Sequence, residues 1–157
     1  MVKVEGPVHE DRVIDAVRRI YGSGRAGRQI REIISTAIEK ERQAGTIDRQ
    51  TDEQNRNLGV FLDTPGRERH TPPRAAGIDV RPIDHIWPGE IELGLLCVVE
   101  SSFGIERSEA CVAAARAFGF ARVGPHIRNA LEAAIDRLVS EGFVQDTGAG
   151  LILGSDD

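Results

Sequence analysis

The sequence predicts a mainly α fold, α+β with small wing hairpins, in which one winged-helix (helix-turn-helix) unit occurs twice in tandem. Three observations carry this reading. First, Tyr21 to Arg31 reads YGSGRAGRQIR and Phe118 to Arg128 reads FGFARVGPHIR. The offset of 97 residues holds without a gap from Val8/Ile105 to Ile47/Val144. Gly22/Gly119, Arg25/Arg122, Gly27/Gly124, Ile30/Ile127, Arg31/Arg128, Ala37/Ala134, Ile38/Ile135 and Gly45/Gly142 are identical across it. Second, the apolar residues after each of these stretches recur in steps of three and four, which puts one stripe of a helix against a core. Third, each copy closes on two short β-prone runs separated by a polar turn.

The elements follow in order. In the first copy, over residues 1–63, Val8 is a short strand and Asp11 to Tyr21 a helix. Arg28 to Gln43 is the next helix, with a core stripe of Ile30, Ile33, Ile34, Ala37 and Ile38. Thr46 to Arg49 and Val60 to Asp63 are wing strands around a polar tip, Thr51 to Gly59. Only about five residues precede the short strand, so the opening helix of this copy is missing. Its stripe of Ile14, Val17, Ile30, Ile34 and Ile38 then needs a cover. The candidates are the segment Ile78–Trp87, the second copy, a second chain or a preceding domain, with intrachain cover the first expectation and a homodimer the second. Residues 64–82 carry four prolines and several charges and read as a linker.

The second copy, residues 83–157, is more complete. Pro88 leads into an apolar helix, Glu90 to Glu100. Phe103 and Ile105 can form a very short strand. Ser108 to Phe118 is an alanine-rich helix, with Ser108 as its cap and Gly119 as its stop. Val123-Gly124-Pro125 opens a third helix that Gly142 ends. Phe143 to Asp146 and Leu151 to Leu153 form the hairpin.

Composition narrows the class. With 40% hydrophobic and 29% charged residues the chain is globular. No apolar run reaches the length of a membrane span, and the polar, acidic first ten residues are not a signal peptide. Cys97 and Cys111 sit in apolar helical stretches, which fits a reduced, cytoplasmic chain. The net charge of −5 is uneven. Residues 1–50 hold 10 Lys+Arg against 8 Asp+Glu, whereas residues 90–157 hold 5 against 11. DNA contact is therefore expected on the first copy.

GPVHEDRVIDAVRRIYG, the repeated R-x-G-x-x-I-R and the stretch from Ile83 to Val144 resemble a bacterial C-terminal domain of unknown function, number 3320. The resemblance covers nearly the whole chain and is strongest over Ile83 to Val144. It implies an accessory domain at the end of proteins related to superfamily-one DNA helicases, with a DNA-processing or defence context and a parent helicase module as partner. It implies no activity.

The candidate nucleic-acid contacts are Arg18, Arg19, Arg25, Arg28, Arg49 and Arg56. Arg25 stands before a helix N-terminus, where free N–H groups attract phosphate. Its other reading is an ion pair with an acid such as Asp15, and the corresponding reading is preferred for Arg122. Arg28 lies on the helix face with Glu32, Ser35, Thr36 and Glu39, a face with too many carboxylates for good base readout. Arg31 and Arg128 recur, which favours a salt bridge or cap over base contact. Arg49 and Arg56 flank a wing that also carries Asp48, Asp52 and Glu53. Trp87 reads as a packing anchor beside Pro88. His9, His70, His85 and His126 are scattered and neither cysteine has ligand spacing, so no metal, cofactor or catalytic site is expected. The leading function is weak DNA binding through the first copy, with the second as scaffold. The alternative is a protein-interaction or dimerisation module.

Overall fold

The structure, a computed structural model, describes residues 1–20, 28–52, 58–67 and 80–154. Arg25, Arg56, the recurring Gly22 and Gly27, most of the wing tip and most of the linker lie outside the described residues. The described residues are mainly helical with small antiparallel sheets. The chain divides into two compact units, residues 1–68 with 84–87, and residues 69–83 with 88–157. Asp84–Trp87 thus groups with the first unit, where the sequence reading opened the second copy at Ile83.

In the first unit the elements are α1 (Val2–Glu5), β1 (Val8–His9), α2 (Glu10–Ile20), α3 (Arg28–Gln43), β2 (Asp48–Gln50) and β3 (Phe61–Asp63). The sheet order is β1-β3-β2, all antiparallel, with Val8 opposite Leu62 and Arg49 opposite Leu62 on the other side. Ile14, Ile34, Ile38 and Leu62 form the core, and Val2, Val13, Val17, Ile30, Ile47 and Val60 pack against it. Below these, Asp63 and Arg67 pair at 3.0 Å, and Arg67 donates to the carbonyls of Gly6 (3.1 Å) and Lys3 (2.6 Å). The start of the expected linker is therefore fastened to the N-terminal turn.

The second unit contains α4 (Pro88–Ser102), α5 (Arg107–Ala117), α6 (Pro125–Ser140), β4 (Val144–Asp146) and β5 (Leu151–Leu153). α4 packs on both α5 and α6 through Ile91, Leu95 and Val99, all buried and four residues apart. That spacing keeps them on one stripe. Pro125 takes the first helical position of α6, where its missing N–H costs nothing. Ser108 does not cap α5: the helix starts at Arg107 after Glu106, and the Ser108 hydroxyl donates to the Glu106 carboxylate. Glu106 holds the cap position without a side-chain hydrogen bond to the helix. Among the described residues, no helix is long and apolar enough to cross a membrane.

The sequence repeat is a repeat of elements. α2 and α5, and α3 and α6, start and end at positions 97 residues apart. Ile105 bridges Leu151 as Val8 pairs with Leu62, and Leu62 and Leu151 are both fully buried. Gly45 and Gly142 end the equivalent helices at φ +71° and +81°, a left-handed conformation that explains their identity. One ion pair is conserved in position and inverted in sign. Glu10 at the start of α2 meets Arg49 at 2.9 Å, and Arg107 at the start of α5 meets Asp146 at 3.5 Å. The wing differs: twelve residues separate Arg49 from Leu62, but four separate Asp146 from Leu151.

The opening helix is not wholly absent from the first unit. α1 lies 97 residues before the last turn of α4, and Val2 stands where Val99 does. α1 has 4 residues and α4 has 15.

Candidate functional site: an apolar groove and a histidine stack in the first unit

The arginines expected to hold nucleic acid are mostly held by carboxylates. Arg18, in the last turn of α2, faces Asp15 at 3.7 Å. Arg28, the first residue of α3, bonds Glu32 at 3.0 Å, one turn along. Arg49 bonds Glu10 in the inverted pair described above. Arg31 bonds Asp11 at 3.0 Å, the salt-bridge role that its recurrence suggested. Arg19 is exposed at the end of α2. Each of these pairs is internal to the unit, and phosphate would have to displace a carboxylate to use the cation.

The exposed face of α3 is similarly self-satisfied. Thr36 donates to the Glu32 carbonyl at 2.7 Å, and Glu39 accepts from Arg42 at 2.7 and 2.9 Å. The Arg42 guanidinium holds the Glu39 carboxyl well below the usual carboxylate range, at about 2. Glu39 is thus ionised at any physiological pH and lines a polar cleft of about 490 Å3 with Ser35, Thr36, Lys40, Gln43 and Arg49.

The other side of α3 is apolar and open. Ile14, Ile34 and Ile38 are buried, but Val17 and Ile30 are only half-buried and Ile33 is 63% exposed. Between α2 and α3 these side chains line a groove of about 580 Å3 whose remaining walls include Val13, Ala37 and Ile47, with Arg18 and Glu41 at its polar edge. The segment that re-enters the first unit, Asp84–Trp87, packs elsewhere. His85 stacks on His9 with ring centroids 4.0 Å apart, and Trp87 meets Phe61 edge-on at 5.1 Å. Of the segment Ile78–Trp87 expected as cover, Asp84–Trp87 thus packs at the sheet, while Ile78 and Asp79 lie outside the described residues. Trp87 is an anchor, as expected, but its partner is Phe61 of β3.

The histidines are not all scattered. His9, Asp11 and His85 offer ligand atoms within 4.8 Å of one another. Sequence spacing could not show this, because 75 residues separate the two histidines. The trio meets the distance requirement of a metal site but not the direction. A metal takes a ring nitrogen's lone pair in the ring plane at about 2.0–2.1 Å. The two rings lie 10° from parallel, one above the other, so no point within bonding distance of both lies in both planes. Both nitrogens of His9 are also occupied: Nδ1 accepts from the Asp11 backbone N–H at 3.2 Å, and Nε2 donates to the Leu58 carbonyl at 2.9 Å. Gly59 closes the site, since at φ +84° it places its Cα where a Cβ would stand 2.8 Å from His9 Nε2. These residues make a packing cluster that joins β1 to the 84–87 segment.

The stack is pH-sensitive. Burial lowers the His85 pKa below its ordinary 6.5, and His9 and Arg12 push it further down against opposing pulls from Asp11 and Asp84. A histidine held neutral in the fold leaves the unfolded chain binding more protons just below that value. Stability of the first unit should then be full above about pH 6.5 and fall as pH drops through the lower folded value. Urea midpoints between pH 7.5 and 5 check this, and His85→Gln should flatten the fall. An equal fall in both proteins assigns it to other groups.

One other sequence expectation has a structural answer. Cys97 is exposed and Cys111 buried, both free, and burial pushes the Cys111 thiol pKa up, away from reactivity. Arg137 bonds Glu92 at 2.6 Å, tying α6 to α4.

No curated protein and no solved structure matches the chain. The match to a family profile falls on the first copy, not on Ile83 to Val144 where the resemblance looked strongest. Residues 1–32 match the family described as a protein of unknown function (DUF3320), and over that span the chain is similar to it.

Proposed function

We propose that the chain is a non-catalytic protein-interaction module, built of two winged-helix units and serving as an accessory domain to a helicase-related DNA-processing or defence protein. The open groove between α2 and α3 is the observation that carries this reading. Amphipathic helices bind in apolar grooves of this kind. Internal pairing of Arg18, Arg28, Arg31 and Arg49 supports it by removing the cations a phosphate backbone needs.

A second reading keeps DNA binding through the first unit. It is favoured by the excess of basic residues over residues 1–50 and by Arg28, whose side chain is 93% exposed despite its pairing with Glu32. The two separate on salt. Anisotropy titrations with a duplex at about 50 and 200 mM salt should show binding no tighter than the non-specific range of about 10⁻⁴–10⁻⁶ M. Tight binding that weakens steeply with salt, and that Arg18→Ala with Arg28→Ala reduces, would establish the DNA reading instead.

A further inference from the structure

We propose that residues 84–87 form a proton-released strap on the first unit: acidification lifts them from the outer face of its sheet while the helical core beneath stays folded. This device goes beyond the interaction reading and is independent of what the first unit binds.

Alternation along β3 sets the geometry. Leu62 belongs to the core with Ile14, Ile34 and Ile38, so its face of the sheet meets the helices. Neighbouring residues of a strand point to opposite faces. Phe61 therefore takes the outer face, and His9, its partner across the β1–β3 ladder, shares it. The strap lies on that face. His85 stacks on His9 at 4.0 Å, Trp87 meets Phe61 edge-on at 5.1 Å, and Ile86 between them is fully buried. The core cluster around Leu62 draws on residues between Val2 and Leu62. Lifting the strap uncovers Phe61 and His9 and leaves that cluster whole.

The latch is the histidine stack, and a proton on His85 opposes it. His9 keeps its Nε2 proton for the Leu58 carbonyl at 2.9 Å and its Nδ1 lone pair for the Asp11 N–H at 3.2 Å. Its edges are thus engaged, and it offers His85 a ring face. Charge on His85 is disfavoured first by burial and then by His9, with Asp11 and Asp84 pulling the other way and Arg12 adding to the opposition. Asp11 divides its pull, since it also bonds Arg31 at 3.0 Å. On the neighbouring elements Glu10 is taken up by Arg49 at 2.9 Å and Asp63 by Arg67 at 3.0 Å. Off the sheet, His85 returns to water and binds its proton more tightly. By linkage, protonation favours release by the same factor.

Trp87 is the single tryptophan and rides on the strap, so its accessibility to acrylamide reads release. Quenching of the full chain without denaturant should be low and flat down to about pH 6.5 and rise toward the value of the urea-unfolded chain by about pH 5. Far-UV circular dichroism should stay constant over that range. His85→Phe keeps a flat ring on His9 and takes no proton, so its quenching should stay low throughout. The His85 Cε1–H resonance, assigned as the one missing from the variant's spectrum, should titrate with the same midpoint as the quenching. Flat quenching in the unchanged chain, a parallel rise in His85→Phe, or a His85 midpoint away from the quenching midpoint overturns the proposal. So does a loss of helical signal that tracks the quenching, since the whole unit is then melting. If His85→Phe is already open at neutral pH, coincidence of the two midpoints in the unchanged chain decides alone.

Discussion

Replacing Arg81 by alanine is expected to destabilise the second unit by about 3–5 kcal/mol, a large part of what a domain of this size has. Glu90 opens α4 and is fully buried. Arg81 reaches it with both guanidinium nitrogens, at 2.8 and 2.5 Å, and is itself mostly buried. This two-pronged geometry matches a planar guanidinium to a carboxylate and is not available to lysine. Removing the arginine leaves a carboxylate desolvated without its main cation. Urea unfolding followed by far-UV circular dichroism reads the loss. The paired change Arg81→Met with Glu90→Leu should recover much of it, because an apolar pair needs no desolvation of charge. A loss below about 1 kcal/mol in the single variant would mean that other groups hold Glu90.

Phe61→Ala should have a similar effect on the first unit, about 3–5 kcal/mol. Phe61 is fully buried in β3, and its ring meets His9 at 5.2 Å and Trp87 at 5.1 Å, both edge-on. It is the side chain through which the strand holds the 84–87 segment. The sequence has one tryptophan, so fluorescence reports this segment alone. Emission should shift to the red at urea concentrations where the helices are still folded. Unchanged emission would show that the His9–His85 stack suffices to hold the segment.

The two halves of the site differ in how legible they were. Helix periodicity and the 97-residue offset determined α2, α3, α5 and α6 almost to the residue, because a buried stripe on a 3.6-residue period leaves a local pattern. The recurring Gly45/Gly142 could be read for the same reason: a left-handed residue after a helix is a local demand.

What the tertiary structure decided were the partners. Arginines that look alike along the chain became internal ion pairs, and Arg49 proved to be one end of a bridge whose mirror image, Arg107–Asp146, is invisible until strands and helices are placed. His9 and His85, far apart in sequence, stack because 84–87 returns to the first unit. The same return puts Trp87 on Phe61, so Asp84–Trp87 packs at the sheet and not in the α2–α3 groove. Periodicity says which face of a helix is apolar and charge counts say which half is basic. Neither says which carboxylate stands within 3 Å of which arginine, since that distance depends on long-range closure of the chain.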